Sequence, residues 1–190
     1  MSDFEFVFAL YSLLLGLSMV ELLGGLGRAL EVRFAAEADS EKFAIGWLTP
    51  LLAIFVMLDL LSFWQAAWTV RSDIAVSGAT LMVVATFASL YFLAARLVFP
   101  SHPEGFANLD THYFRVRRVV LALLLVLLGA QLIFYLSHPV LVAAFQHPMV
   151  WGLTLLLAAL MIAAMLVKGA RASLAILSLL VARYVIVYLL

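Results

Sequence analysis

Six long runs of apolar residues constrain this chain more than any other feature of its sequence. The runs cover residues 4–26, 45–70, 74–99, 119–136, 149–167 and 172–190. Each comes close to or exceeds the roughly twenty residues that an α-helix needs to cross a bilayer core about 30 Å thick. Barrel strands would be about ten residues long with alternating polarity, unlike these runs of leucine, valine and alanine. The sequence therefore predicts an all-α polytopic membrane protein, a bundle of six transmembrane helices.

The composition excludes several other classes of protein. Of the 190 residues, 67% are hydrophobic and only 12% are charged, whereas soluble domains are about half apolar and about a quarter charged. The net charge is zero, so a nucleic-acid partner is not expected, and the chain has no cysteine for disulfides or thiolate metal sites. The first run is not predicted to be a cleaved signal peptide, because Asp3 and Glu5 precede its apolar core and Glu21 lies inside it. The connections are short, so residues 1–190 are expected to form a single transmembrane domain.

Basic residues are distributed unequally between the two sets of loops. Loops 1, 3 and 5 and their flanks hold nine, and the loops on the other side hold only Arg71. Because cytoplasmic loops are enriched in lysine and arginine, both termini are predicted to lie on the non-cytoplasmic side, with a bacterial inner membrane as the location. The nine are Arg28, Arg33, Lys42, Arg96, Arg115, Arg117, Arg118, Lys168 and Arg171.

Three ionisable residues fall inside the predicted spans: Glu21, Asp59 and Arg183. A charge at the centre of a span costs about 2.5–3.5 kcal/mol on insertion scales, so such residues need a partner or a function. Depth along the helices suggests two pairings. Asp59 and Arg183 lie at similar depths from one side, and Glu21 lies near Arg96 and Arg28 on the other side.

These intramembrane charges have two interpretations. Buried acid–base pairs could neutralise one another and fix the packing of the helices. Alternatively, Glu21 and Asp59 could carry protons or ions across the membrane from opposite sides, with Gln131 lining the pathway and the arginines as charge partners. A glutamine that hydrogen-bonds to another helix is the structural alternative for Gln131.

The first span also carries a stripe of small side chains, which allow close approach of another helix. The stripe consists of Ser12, Gly16, Gly24 and Gly27. It is expected to serve helix packing, either in a homo-oligomer or against a partner protein.

Cofactor and enzyme features are sparse. His138 and His147 could bind a metal at a membrane surface, but a site requires three or four ligands and few others are near in sequence. No histidine lies in mid-span, so no haem or other cofactor is predicted. Asp110 and Thr111 are interpreted as the N-cap of helix 4, and a tight turn is expected at residues 71–73.

The sequence thus favours a small channel or transporter for protons or small ions, with the lipid bilayer as its environment. The alternative from another class is a non-catalytic scaffold or accessory subunit of a larger complex. A lipid-headgroup enzyme is the third hypothesis; it would combine Glu21 with Asp110 and His112 in one cavity. Water access to Glu21 and Asp59 distinguishes transport from a scaffold role.

Overall fold

The computed structural model describes residues 3–38, 43–69, 76–137, 142 and 148–189. Within these residues the chain forms six α-helices, and each is long and apolar enough to cross a membrane. The prediction of an all-helical chain with six such helices is confirmed. The turn predicted at residues 71–73 lies outside the described residues. The helices are α1 (Asp3–Ala38), α2 (Leu48–Thr69), α3 (Gly78–Val98), α4 (Leu109–Leu136), α5 (Pro148–Leu166) and α6 (Ala170–Leu189).

Two helices extend well beyond the apolar runs. The 36 residues of α1 reach about 54 Å at 1.5 Å per residue, so the helix continues through the charged segment that follows the first run. Helix α4 starts at Leu109, ten residues before the apolar run that begins at residue 119 and close to the N-cap predicted at Asp110 and Thr111. A side-chain cap and a buried arginine hold the basic stretch in the helix.

The helices run antiparallel, so α1 begins and α6 ends at the same end of the bundle. The ring of Phe4, at the start of α1, lies 5.6 Å from that of Trp68, at the end of α2. Tyr184, near the end of α6, donates a hydrogen bond to Asp59 in the second half of α2. We call this the termini end, and the other the opposite end.

Two linkers meet at the opposite end and fix the starts of two helices. Ala44 and Asn108 form a parallel bridge between them. The Asp110 carboxylate accepts a hydrogen bond from the Leu48 backbone N–H at 3.0 Å and so caps α2. Gly46 has φ 69°, and a Cβ there would overlap that carboxylate. The predicted cap is therefore wrong: Asn108 caps α4, with its side chain 2.8 Å from the Asp110 N–H.

Arg117 joins three helices at the opposite end. Its side chain is only 3% exposed, and Nη1 donates to the carbonyls of Ala164, at 3.0 Å, and Val167 at the end of α5. The same nitrogen lies 3.4 Å from the Ser173 hydroxyl in α6. A cation is favourable at a helix C-terminus, where carbonyls lack intrahelical partners. Arg117 therefore holds the link between α5 and α6 against α4.

Helices α1 and α3 approach closely at Gly25. A methyl group at Gly25 would stand 2.6 Å from Cβ of Phe99, the residue that ends α3. Only a glycine fits at this point, because real Cβ atoms do not approach other carbons so closely. The contact sets the spacing of the two helices beside Glu21, four residues earlier along α1.

Candidate functional site

A cavity of about 240 Å³ lies between the helices in the termini half of the bundle, with room for several water molecules or a small ligand. Helices α2 to α6 contribute to its wall. Each of these five helices contributes at least one polar side chain to the lining, together with leucine, valine and phenylalanine. A mixed cavity of this kind is typical of ligand and ion sites between the helices of a bundle. The polar lining residues are Asp59, Ser62, Tyr91, Gln131, Tyr135, Thr154, Arg183 and Tyr184.

Asp59 is held in the wall of this cavity by two tyrosines. The Tyr91 hydroxyl of α3 donates to Oδ2 at 2.8 Å, and the Tyr184 hydroxyl of α6 donates to Oδ1. Both tyrosines are 3% exposed, whereas the Asp59 side chain keeps part of its surface open to the cavity. Hydrogen bonds from neutral hydroxyls satisfy the carboxylate without cancelling its charge.

Arg183 lines the same cavity and attracts Asp59 electrostatically. Among the described residues, however, Arg183 forms no ion pair with a carboxylate. Its guanidinium carbon lies 4.8 Å from the centre of the Tyr184 ring, a cation–π contact, and its Nε is buried without a hydrogen-bond partner in the described part of the chain. The cavity therefore holds both a negative and a positive group that do not contact each other.

Gln131 and Tyr135 stand one turn apart on α4, and both face the cavity. The Gln131 side-chain amide donates to the Tyr135 hydroxyl at 2.9 Å. Gln131, the predicted lining residue, therefore lies in the same cavity as Asp59, and its hydrogen-bond partner is on the same helix. Across from it, Thr154 on α5 donates to the Val150 carbonyl one turn earlier, which leaves its oxygen available as an acceptor.

Glu21 belongs to a separate cluster toward the opposite end. Its Oε2 lies 3.6 Å from Nη1 of Arg96 and 3.9 Å from Nη2 of Arg28. The three side chains are 28%, 37% and 40% exposed, respectively, and Arg96 also donates to the Ser101 hydroxyl at 2.9 Å. The two arginines that depth suggested for Glu21 are thus both its neighbours, and none of the three lines the cavity.

The small side chains of α1 are little used by packing within the chain. An added Cβ would meet nothing within 4 Å at Gly16 or Gly27, and only Arg28 at Gly24. Ser12 accepts a hydrogen bond from the Trp64 indole at 3.2 Å. The close helix contact of α1 is made instead at Gly25, which lies outside the predicted stripe.

The residues considered for a metal site and for a lipid-headgroup enzyme do not belong to the cavity within the described part of the chain. His138 and His147 lie outside the described residues, and no group of three potential metal ligands is found among the described ones. Asp110 is occupied in capping α2. A ring nitrogen of His112 lies 3.1 Å from the Leu97 carbonyl. Neither Asp110 nor His112 lines the cavity described here.

Sequence reasoning missed the two tyrosines that hold Asp59. Tyr91 and Tyr184 lie within apolar runs and were counted only as part of them. A signal existed for Tyr91, since antiparallel packing of α2 and α3 across a short connection places it at the depth of Asp59. Tyr184 directly follows Arg183 in the sequence. The depth argument assigned Arg183 to Asp59, whereas the hydrogen bond to Asp59 comes from Tyr184.

The six apolar helices, most of whose surface is not buried within the chain, make this an integral membrane protein of the helical-bundle class. Comparison of the chain with known protein families, with curated proteins and with solved structures finds no match. The function must therefore be argued from the cavity itself.

Proposed function

We propose that the protein moves protons or small ions across the membrane, with the Asp59 carboxylate as the group that carries the charge. The supporting observation is that Asp59, in mid-helix, keeps part of its surface open to a polar cavity. A purely structural acid would be expected in dry packing or in an ion pair. An intramembrane carboxyl group at a cavity is a typical element of proton and ion pathways.

The carrier role is assigned to Asp59 rather than shared equally with Glu21. Two arginines surround Glu21, so its negative charge is already balanced. Asp59 has only hydroxyl donors in contact, which can stabilise it when it is ionised and remain in place when it is protonated. Gln131 is proposed to line the entrance of the same pathway.

The orientation proposed from the basic residues gives this pathway a direction. Nine of the eleven lysines and arginines belong to the loops and helix ends of one side, which supports a cytoplasmic location for the opposite end in a bacterial inner membrane. The cavity would then face the outside, together with both termini.

Flux through proteoliposomes tests the proposal. The wild-type chain, Asp59→Asn and the control Glu37→Gln are reconstituted, and internal pH is followed under imposed proton and cation gradients. Glu37 is a suitable control because it is exposed and paired with Arg33 in the charged extension of α1. We expect the flux through Asp59→Asn to be at least about tenfold lower than through the wild type, and the flux through Glu37→Gln to be unchanged. Full flux through a folded Asp59→Asn protein would refute the carrier role.

A scaffold or accessory subunit is the second candidate, because a specific observation favours it. Gly16 and Gly27 leave space beside α1 that no part of the described chain fills. A second copy or a partner helix could approach there. A wild-type flux equal to that of protein-free vesicles, under every gradient, would favour this function over transport.

A further inference from the structure

Within the described part of the chain, the guanidinium group of Arg183 in the cavity wall has no carboxylate partner, and its Nε is buried without a hydrogen bond. An arginine within a membrane span is expensive unless a carboxylate, a phosphate or another acceptor satisfies its guanidinium group. Here each oxygen of Asp59 accepts a hydrogen bond from a tyrosine hydroxyl, and Arg183 contacts the ring of Tyr184 rather than the carboxylate. Because Arg183 lies in the cavity wall, a ligand in the cavity could accept hydrogen bonds from its guanidinium group.

The charge and the apolar lining of the cavity indicate the charge, shape and size of a ligand that would fit it. One arginine matches one negative charge, and its planar fork fits a carboxylate through two parallel hydrogen bonds. The remaining surface includes Phe63, Leu128, Leu132, Val150 and Leu157, which suit a short hydrocarbon body. A volume of about 240 Å³ accommodates a body of a few carbon atoms.

We propose that the cavity is a binding site for a small monocarboxylate anion, held by Arg183 and coupled to proton uptake at Asp59. The inference deepens the proposed transport function, and its coupling to protons rests on that function. The anion is the species transported together with the proton. It binds beside Arg183 while the carboxylate of Asp59 takes up a proton.

The coupling follows from the charges in the cavity. With Asp59 ionised, the two charges of the cavity balance and an anion meets repulsion from the carboxylate. With Asp59 protonated, Arg183 alone faces the anion, so binding strengthens as the pH falls and proton and anion favour each other's binding. Tyrosines are the other titratable groups that face Asp59: Tyr91 and Tyr184 in contact, with Tyr11, Tyr135 and Tyr188 farther away. The lining residues from α5 do not titrate.

Equilibrium binding of radiolabelled butyrate to the purified full chain tests the site. We expect saturable binding that tightens as the pH is lowered from pH 8, together with a rise in melting temperature. Butyramide has the same size without the charge and is expected to give neither effect. Absence of saturable butyrate binding, or equal binding of butyramide, overturns the proposal, as does a preference for inorganic phosphate.

Variants then assign the binding to the residues. Arg183→Gln is expected to weaken butyrate binding at least about tenfold, and Arg183→Lys less, because lysine keeps the charge but not the fork. The matched control is Arg171→Gln, which removes an exposed arginine from the other end of the same helix and should leave binding intact. Unchanged binding to a folded Arg183→Gln protein overturns the assignment.

Asp59→Asn separates this inference from the transport function. Without the carboxylate charge, butyrate binding at pH 8 should be tighter than in the wild type at the same pH and should lose its pH dependence. Binding that still tightens with falling pH in Asp59→Asn overturns the coupling. If the protein binds butyrate but shows no proton flux, the transport function is contradicted and the anion site is supported. If it shows proton flux but binds no butyrate, the anion site is contradicted and the transport function is supported.

Discussion

The two intramembrane acids of this protein have different kinds of neighbour. Glu21 lies between Arg28 and Arg96, all three partly exposed, in a cluster toward the opposite end of the bundle. Asp59 lies in a cavity of the termini half, where two buried tyrosines donate to its oxygens and Arg183 stands apart. Both acids have arginines at matching depth in the sequence, yet only Glu21 contacts them.

The difference shows that depth in the membrane predicts which charges can meet but not which ones do. An ion pair satisfies both partners and leaves little for a substrate. A carboxyl group held by hydroxyl groups is not engaged in an ion pair, and the nearby arginine remains available. The Asp59 region therefore suits the proposed binding and exchange of ions, whereas the Glu21 region resembles a structural pair at the edge of the bundle.

The largest stability effect is expected from the tyrosines of the Asp59 region. Tyr184→Phe or Tyr91→Phe removes a hydrogen bond to a carboxylate and should cost about 1.5–3 kcal/mol of unfolding free energy. Thermal or denaturant unfolding in a mild detergent at neutral pH measures the loss.

Tyr11→Phe is the matched control for these tyrosines. Its hydroxyl is buried and has no hydrogen-bond partner among the described residues. Its removal should therefore be neutral or slightly stabilising. Equal losses from Tyr11→Phe and Tyr184→Phe would mean that packing rather than hydrogen bonding explains the effect, and the contrast with the Glu21 region would weaken.

A smaller effect of about 1–3 kcal/mol is expected from Gly25→Ala, which forces α1 and α3 apart beside Glu21. Unfolding of this variant is compared with that of Gly27→Ala, where a methyl group meets nothing within 4 Å. The control should gain a few tenths of a kcal/mol, because alanine favours a helix over glycine by up to about 1 kcal/mol. A harmless Gly25→Ala would show that the helices can separate there at no cost.

The smallest effect is expected at the Glu21 pair itself. Glu21→Gln should change the unfolding free energy by less than about 1 kcal/mol, because partly exposed ion pairs contribute little. The difference from the wild type should shrink further at high salt, which screens such pairs. A loss above about 2 kcal/mol that persists at high salt would place Glu21 in the same class as Asp59 and remove the comparison.

The sequence predicted several elements of this arrangement for clear physical reasons. Apolar runs that can span a bilayer have to become helices, since a lipid environment leaves no other partner for their backbone groups. The neighbours of Glu21 also followed from the sequence, because Arg28 lies on the same helix and Arg96 at the matching depth of α3. The N-cap predicted at Asp110 and Thr111 lies close to the observed start of α4, but the sequence did not indicate that Arg117 is buried against the end of α5.

The sequence by itself determined the class of the protein, six membrane-crossing helices, and the presence of three charges within them. These properties depend on hydrophobicity and length, which are local. Tertiary structure decided which groups the charges contact: tyrosines for Asp59, an aromatic ring for Arg183, and arginines for Glu21. Such contacts depend on the rotation and register of each helix against its neighbours. Almost every position in a membrane span is apolar, so periodicity leaves that rotation undetermined.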